Sequence, residues 1–359
     1  MPFERVNSIL ESIHGWCEQH GLSFGAFPMH EVAAHPDAAR LLKLFAAHDR
    51  MLNPFEPFTT TGVPLATRDD WRDVLRAAQE TGTTVVWSAL HGSPEQHDRR
   101  VNRRGAFAET CLAIERVHSA GMAVGCNVFV TSENVEDMPR IAQILNDLDV
   151  EESSWQPSDY YPQTRTRRNE RLRPTLDQLL PFAPEIARWS SFYREHWADL
   201  GSLTEAAWVR RAASGEWPIY QSEVDFGSLL VLRPNQDLHF GRAGEYGERF
   251  GNLAINQLDE VLTRALGATD RQVDEIWFRP DELLTIEAAA HFGDPDGTAI
   301  HFSADSVRYL WLDRSRNRAP TPRRVVGWGA GDGEMRMHPR MHRQAIGIHH
   351  QPPNLRGSW

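Results

Sequence analysis

The sequence predicts an α/β protein: a parallel strand–helix half followed by an α+β extension. Between Glu4 and about Val150, short apolar runs alternate with stretches of helical spacing. That alternation is the pattern of βαβ units, which build a parallel sheet or barrel. After Asp149 the rhythm breaks, and Gln221 to Phe240 reads as a hairpin instead.

In the first half, Val6, Ile9, Leu10, Ile13 and Cys17 recur at helical spacing and stop near Gly21. Leu22 to Phe27 is short and apolar, as a buried strand is. Ala38 to Ala47 reads as a helix opened by Pro36 and Asp37. Pro57 to Thr61 is a short strand closed by Gly62. Arg68 to Thr81 is an amphipathic helix with Trp71, Val74, Leu75 and Ala78 on one face. Thr83 to Ser88 is β-branched and aromatic, hence a strand. Phe107 to Ala120 reads as a helix, Met122 to Val130 as a long strand and Met138 to Leu148 as another helix.

In the second half, Trp155 to Tyr161 holds one more strand end, and Thr175 to Leu200 looks helical despite Pro181 and Pro184. The hairpin comprises Ser228 to Leu232, a turn at Pro234-Asn235-Gln236-Asp237, and Leu238-His239-Phe240. Leu253 to Leu266 and most of Val273 to Phe292 are helical, and Val307 to Leu312 is strand-like. From Arg314 on, Pro, Gly, Arg and His dominate an irregular tail.

The chain has 359 residues, with 41% hydrophobic and 24% charged, in the range of a soluble globular protein. The net charge of -11 argues against a general nucleic-acid binder, which needs a basic face. No apolar run approaches the roughly 20 residues that span a bilayer. Met1-Pro2-Phe3-Glu4-Arg5 has no basic stretch leading into an apolar one, so the expected location is the cytoplasm. The three cysteines, Cys17, Cys111 and Cys126, are far apart and form no C-x-x-C or C-x-x-x-C pair.

Several segments, taken in order, resemble the radical S-adenosylmethionine (SAM) superfamily. Met29-His30-Glu31 with His35-Pro36-Asp37 is similar to that family's Gly-Gly-Glu-Pro loop, of which only the acid, Glu31, is kept. Thr60-Thr61-Gly62 resembles its Thr-Asn-Gly strand end. Ser88-Ala89-Leu90-His91-Gly92 with His97-Asp98, running into Gly105-Ala106-Phe107, resembles its Ser-x-x-Gly…His-Asp segment. Ala120-Gly121, Val128-Phe129-Val130-Thr131 and Asn134 follow in the same style. Downstream, Val231-Leu232-Arg233-Pro234-Asn235 and Gly251-Asn252-Leu253 resemble the SPASM/twitch-like C-terminal extension, without its cysteine pair.

The resemblance implies a partial parallel (β/α) barrel that lacks its first strand, in residues 1–165. A C-terminal α+β extension without cluster cysteines follows in 166–313, and a tail in 314–359. It implies SAM as cofactor, held by Glu31 at the amino group, with Thr61, Ser88 and Asn127 as further contacts. It implies radical modification of a peptide or small metabolite after reductive cleavage of SAM. The departure lies at the front. The family's C-x-x-x-C-x-x-C loop, which holds a 4Fe-4S cluster, has no residues here, because the first helix begins at Glu4. Either an upstream segment supplies those cysteines or the chain is a cluster-free relative. A barrel without its first strand has an open edge, which the tail or a partner protein would cover.

Arg165, Arg167 and Arg168 lead the densest basic stretch, which ends at Arg171 and Arg173. They are candidates for binding a carboxylate, phosphate or acidic peptide, or simply a solvated loop. His91, His97 and Asp98 fit either acid–base work or a structural turn capped by Asp98. Two other readings stand beside the radical enzyme. One is a non-catalytic SAM- or peptide-binding protein. The other is a metal-dependent barrel hydrolase using His30, His35, His91 and His97. His338, His342, His349 and His350, with Met335, Met337 and Met341, give the tail the composition of a soft-metal site.

Overall fold

The computed structural model describes residues 1–22, 24–26, 31–48, 58–157, 170–216, 230–240, 249–269, 289–303, 306, 307, 310, 311 and 314. The protein is a mixed α/β structure with a parallel three-stranded sheet and a separate antiparallel one. Helices α1 (Phe3–Gln19), α2 (Ala38–His48), α3 (Val63–Thr67) and α4 (Trp71–Glu80) precede β1 (Val85–Leu90). Then come α5 (Pro94–Val101), α6 (Ala106–Ser119), β2 (Ala123–Val130), α7 (Met138–Asp147) and β3 (Glu152–Pro157). The strands run parallel in the order β1-β2-β3, with Ser88 opposite Cys126, Ala89 opposite Asn127, and Asn127 opposite Ser154. Single parallel bridges widen the sheet at both margins, Thr59 to Trp87 and Ser154 to Phe192.

Side chains alternate across a strand, so register divides the sheet into two faces. Val86, Leu90, Val124, Cys126, Val128, Val130 and Trp155 share one face. They pack under helices in two cores. One core takes α2, α4 and α6 residues: Leu41, Val74, Leu75, Ala113, Ile114 and Val117. The other takes Met138 and Ile141 of α7 together with Leu179, Ile186, Trp197, Trp208, Ile300, Phe302 and Trp311. Trp87, Ala89, Gly125, Asn127, Phe129, Ser154 and Gln156 alternate onto the opposite face.

Local chemistry sets the helix ends. Ser93 and Gln96 form a capping box on α5, with Pro94 in its first turn. Asp98 accepts from Gly105 N at 2.5 Å and Phe107 N at 2.8 Å, closing the start of α6. Those two backbone bonds hold its carboxyl below the usual range, so the capping reading of Asp98 is the one the geometry bears out.

The second half departs from its sequence pattern in places. Thr175 to Leu200 is not one helix but α8 (Leu176–Leu179), α9 (Ala183–Trp189) and α10 (Arg194–Ala198). Pro181 falls in the break after α8, and Pro184 sits in the first turn of α9, where a missing N–H costs nothing. The expected strand at Val307 to Leu312 is helical at the described positions 306, 307, 310 and 311. Its buried residues Val307, Leu310 and Trp311 recur at three and four, a helical period. The expected strand at Leu22 to Phe27 is reduced, at its described positions, to one bridge residue, Phe24.

Helix α11 (Glu205–Ser214) follows, capped by Thr204 Oγ1 accepting from Ala207 N. The expected hairpin is present as β4 (Leu230–Leu232) and β5 (Asp237–Phe240). With β6 (Arg249–Asn252) it forms the antiparallel sheet, followed by α12 (Leu258–Thr269). Ile9, Ile13, Trp16 and Cys17 of α1 pack into a third core with Leu238, Phe250, Val261, Leu262 and Ala265. Trp16 Nε1 donates to Asp259 at 2.7 Å, and Arg5 reaches Gln236 and the Leu253 carbonyl. No described helix is long and apolar enough to cross a membrane.

Candidate functional site

Parallel strands gather their C-terminal ends at one rim, where α/β proteins place ligands. On the face away from the helices, Trp87 forms the floor below that rim. Its ring lies across Gly125, where an added Cβ would fall 2.4 Å from a ring atom, and it meets Phe192 at 5.5 Å between centroids. Above the floor come Ala89, Asn127 and Ser154, paired across the strands, so small side chains flank the amide on both sides. Nearer the rim, His91 stacks on Phe129 at 4.9 Å with 10° between the planes.

Glu31 arrives beside this face from the chain before the 3-10 turn Val32–Ala34. Its Oε2 accepts from Thr61 N at 2.5 Å, just past the Thr59 bridge at the sheet margin. Its Oε1 is buried with no hydrogen-bond partner among the described residues. A buried oxygen of a carboxylate left unpaired is costly unless a ligand, ion or water completes it. Thr61 itself is exposed at the side chain, and its carbonyl accepts from Thr110 Oγ1 at 3.1 Å.

Ser88 lies elsewhere. It alternates with Val86 and Leu90, opposite Cys126, on the helix-packed face. Its hydroxyl is buried and without a hydrogen-bond partner among the described residues, but it and Asn127 are on opposite sides of the sheet. The position that faces the site on β1 is Ala89. The register shows this, since Ser88 pairs with Cys126 and Ala89 with Asn127.

The histidines are structural at most positions. His35 Nε2 meets the Met1 carbonyl at 2.8 Å, and its Nδ1 accepts from Asp37 N. His97 is buried against Phe107 and accepts from His91 N at 3.3 Å. His30 lies outside the described residues, as do Arg165, Arg167, Arg168 and the tail from 315 on. Among the described residues no group of three or more His, Cys, Asp or Glu side chains could hold a metal ion.

The residues present do not fit an iron–sulfur cluster either. Cys17 is in the α1–α12 core, Cys111 is on α6, and Cys126 is on the helix-packed face of β2. Burial pushes their thiols up to about 11, 11 and 12. Cluster ligation needs thiolates that converge. Glu31 Oε1, buried and without a hydrogen-bond partner among the described residues, is an acceptor of the kind an ammonium fits.

Sequence reasoning missed Trp87, Gly125 and Phe192 as the floor. Nothing in sequence spacing joins residues 87 and 192. Asn134, buried behind the rim, donates to the carbonyls of His91 at 3.0 Å and Phe129 at 2.8 Å and so ties the ends of β1 and β2 together.

No family model matches the chain. No curated protein matches it. Among solved structures, native anSMEcpe with bound AdoMet and the Kp18Cys peptide is similar over 78% of this chain and 78% of that one, at 11% identity and a TM-score of 0.39. Native anSMEcpe with bound AdoMet is similar over 78% and 77%, at 11% identity and a TM-score of 0.38. At that identity and score the likeness carries no argument about this chain.

Proposed function

We propose that the chain is a radical SAM-type protein that binds S-adenosylmethionine on the open face of its parallel sheet, as a partial barrel. The observation that carries this is Glu31: a carboxylate with one oxygen on the Thr61 backbone and the other buried and without a hydrogen-bond partner among the described residues. An ammonium completes such an oxygen. Asn127, between Ala89 and Ser154, has an amide to offer a polar group of the ligand. Thr61 positions Glu31 through its N–H, and Trp87 sets how deep the ligand goes. The sequence motifs in family order support the same reading.

A 4Fe-4S cluster, when bound, would supply the electron that cleaves SAM. The three cysteines here are not its ligands. The reading therefore divides by where thiolates come from. With an upstream segment supplying them, the substrate is a peptide or small metabolite, met by Arg165, Arg167 and Arg168. Without one, the chain is a cytoplasmic SAM- or peptide-binding protein.

Equilibrium dialysis with radiolabelled SAM tests the site. Saturable one-to-one binding that Glu31→Gln weakens at least tenfold supports it. No binding by the wild-type chain, or equal binding by the variant, sinks it.

A further inference from the structure

His91 is held on every side except its ring nitrogens. Its backbone N–H donates to His97 Nδ1 and its carbonyl accepts from Asn134. The ring lies flat on Phe129, and His97 tilts against it at 5.6 Å. Yet among the described residues no hydrogen bond to the imidazole is found, and the residue is only half-buried. A side chain this constrained, with its polar edge left over, is preorganised for something outside the fold. His91 follows the last residue of β1, and the Phe129 ring under it lies on the same sheet face as Asn127.

We propose that His91 is a ligand-contacting residue, whose imidazole makes one hydrogen bond to an uncharged polar group, a hydroxyl or ring nitrogen, of the molecule that Glu31 and Asn127 hold. This rests on the reading of that face as a SAM site. The imidazole is neutral across the physiological range: burial, then His97 and Arg100, push it down to about 3. It therefore offers a donor or an acceptor rather than a charge, and gives a phosphate or carboxylate no ion pair.

The test uses SAM with wild-type protein, His91→Phe and Glu31→Gln. Phenylalanine keeps the stack on Phe129 and removes the nitrogens. His91→Phe is expected to weaken SAM binding about three- to tenfold with an unchanged unfolding midpoint. In wild type, SAM is expected to shift the His91 imidazole NMR resonances. If Glu31→Gln loses binding while His91→Phe binds as wild type and the imidazole signals stay still, the His91 proposal is overturned and the site survives. If wild type does not bind SAM at all, the site reading fails and takes the proposal with it. Should His91→Phe unfold early, the wild-type imidazole shift decides alone.

Discussion

Two acids in this protein are treated in opposite ways. Glu205, at the start of α11, is buried and saturated. Its Oε1 accepts from Arg314 at 2.6 Å, Asp294 N at 3.0 Å and Trp311 Nε1 at 3.1 Å. Arg173 and His301 lie against its other oxygen at 4.0 and 3.8 Å, and those two also touch each other. Glu31 has, among the described residues, one backbone donor and one oxygen without a partner. The first arrangement ties segments from positions 170 to 314 together and leaves nothing for a ligand. The second leaves a debt that the fold does not settle. Charge at a site is told from charge in a scaffold by what remains unpaired.

The comparison breaks most visibly at Glu205. Removing one partner of a buried charge network leaves the others unpaired, and Glu205→Ala is expected to cost about 3–5 kcal/mol in urea unfolding. A loss within the range of a surface substitution would mean that the network does not stabilise the fold.

Acid titration sharpens the same point. Burial alone would raise the Glu205 carboxyl, but His301 and Arg314 bring it to about 2, below its ordinary 4.5. Burial and Arg173 hold His301 at about 3, below 6.5. Both groups bind fewer protons folded than unfolded, so stability falls as pH falls. The decline is expected to begin near pH 6.5 with His301 and steepen below about 4.5 with Glu205. Unfolding midpoints that stay level down to pH 4 would contradict it.

Gly125→Ala comes next. Its new methyl meets the Trp87 ring, and overpacking of this kind costs about 1–3 kcal/mol. Melting of the variant at the wild-type temperature would show that the floor yields. Smallest is Glu31→Gln, which removes an unpaired charge and is expected to change stability by less than about 0.5 kcal/mol, in contrast with its effect on SAM binding. A large destabilisation would make Glu31 a second Glu205.

Much of the first half was legible because helices and strands there carry clean periods. Met122 to Val130 was expected as a strand and β2 spans Ala123–Val130; Phe107 to Ala120 was expected as a helix and α6 spans Ala106–Ser119. The apolar face Trp71, Val74, Leu75 and Ala78 is the buried face of α4. Less was legible where tertiary packing decides. Val307 to Leu312 is apolar enough for either structure, and burial against Trp208 and Phe302 favours the helix. At the site, Glu31 meets Thr61 N, and Asn127 lies on the sheet face opposite Ser88. A motif names a residue without saying which way the pleat turns it. The Glu205 network was invisible, since its members lie up to 144 residues apart.

The packing of α1 against β5, β6 and α12 has a consequence for the order of events at the ribosome. Trp16 finds Asp259 across 243 residues of chain. At about 5–20 residues per second, α1 waits on the order of 10–50 s after its own synthesis for the surface that covers it. During that interval the apolar face of α1, Ile9, Ile13 and Trp16, lacks its partners and is open to holding chaperones.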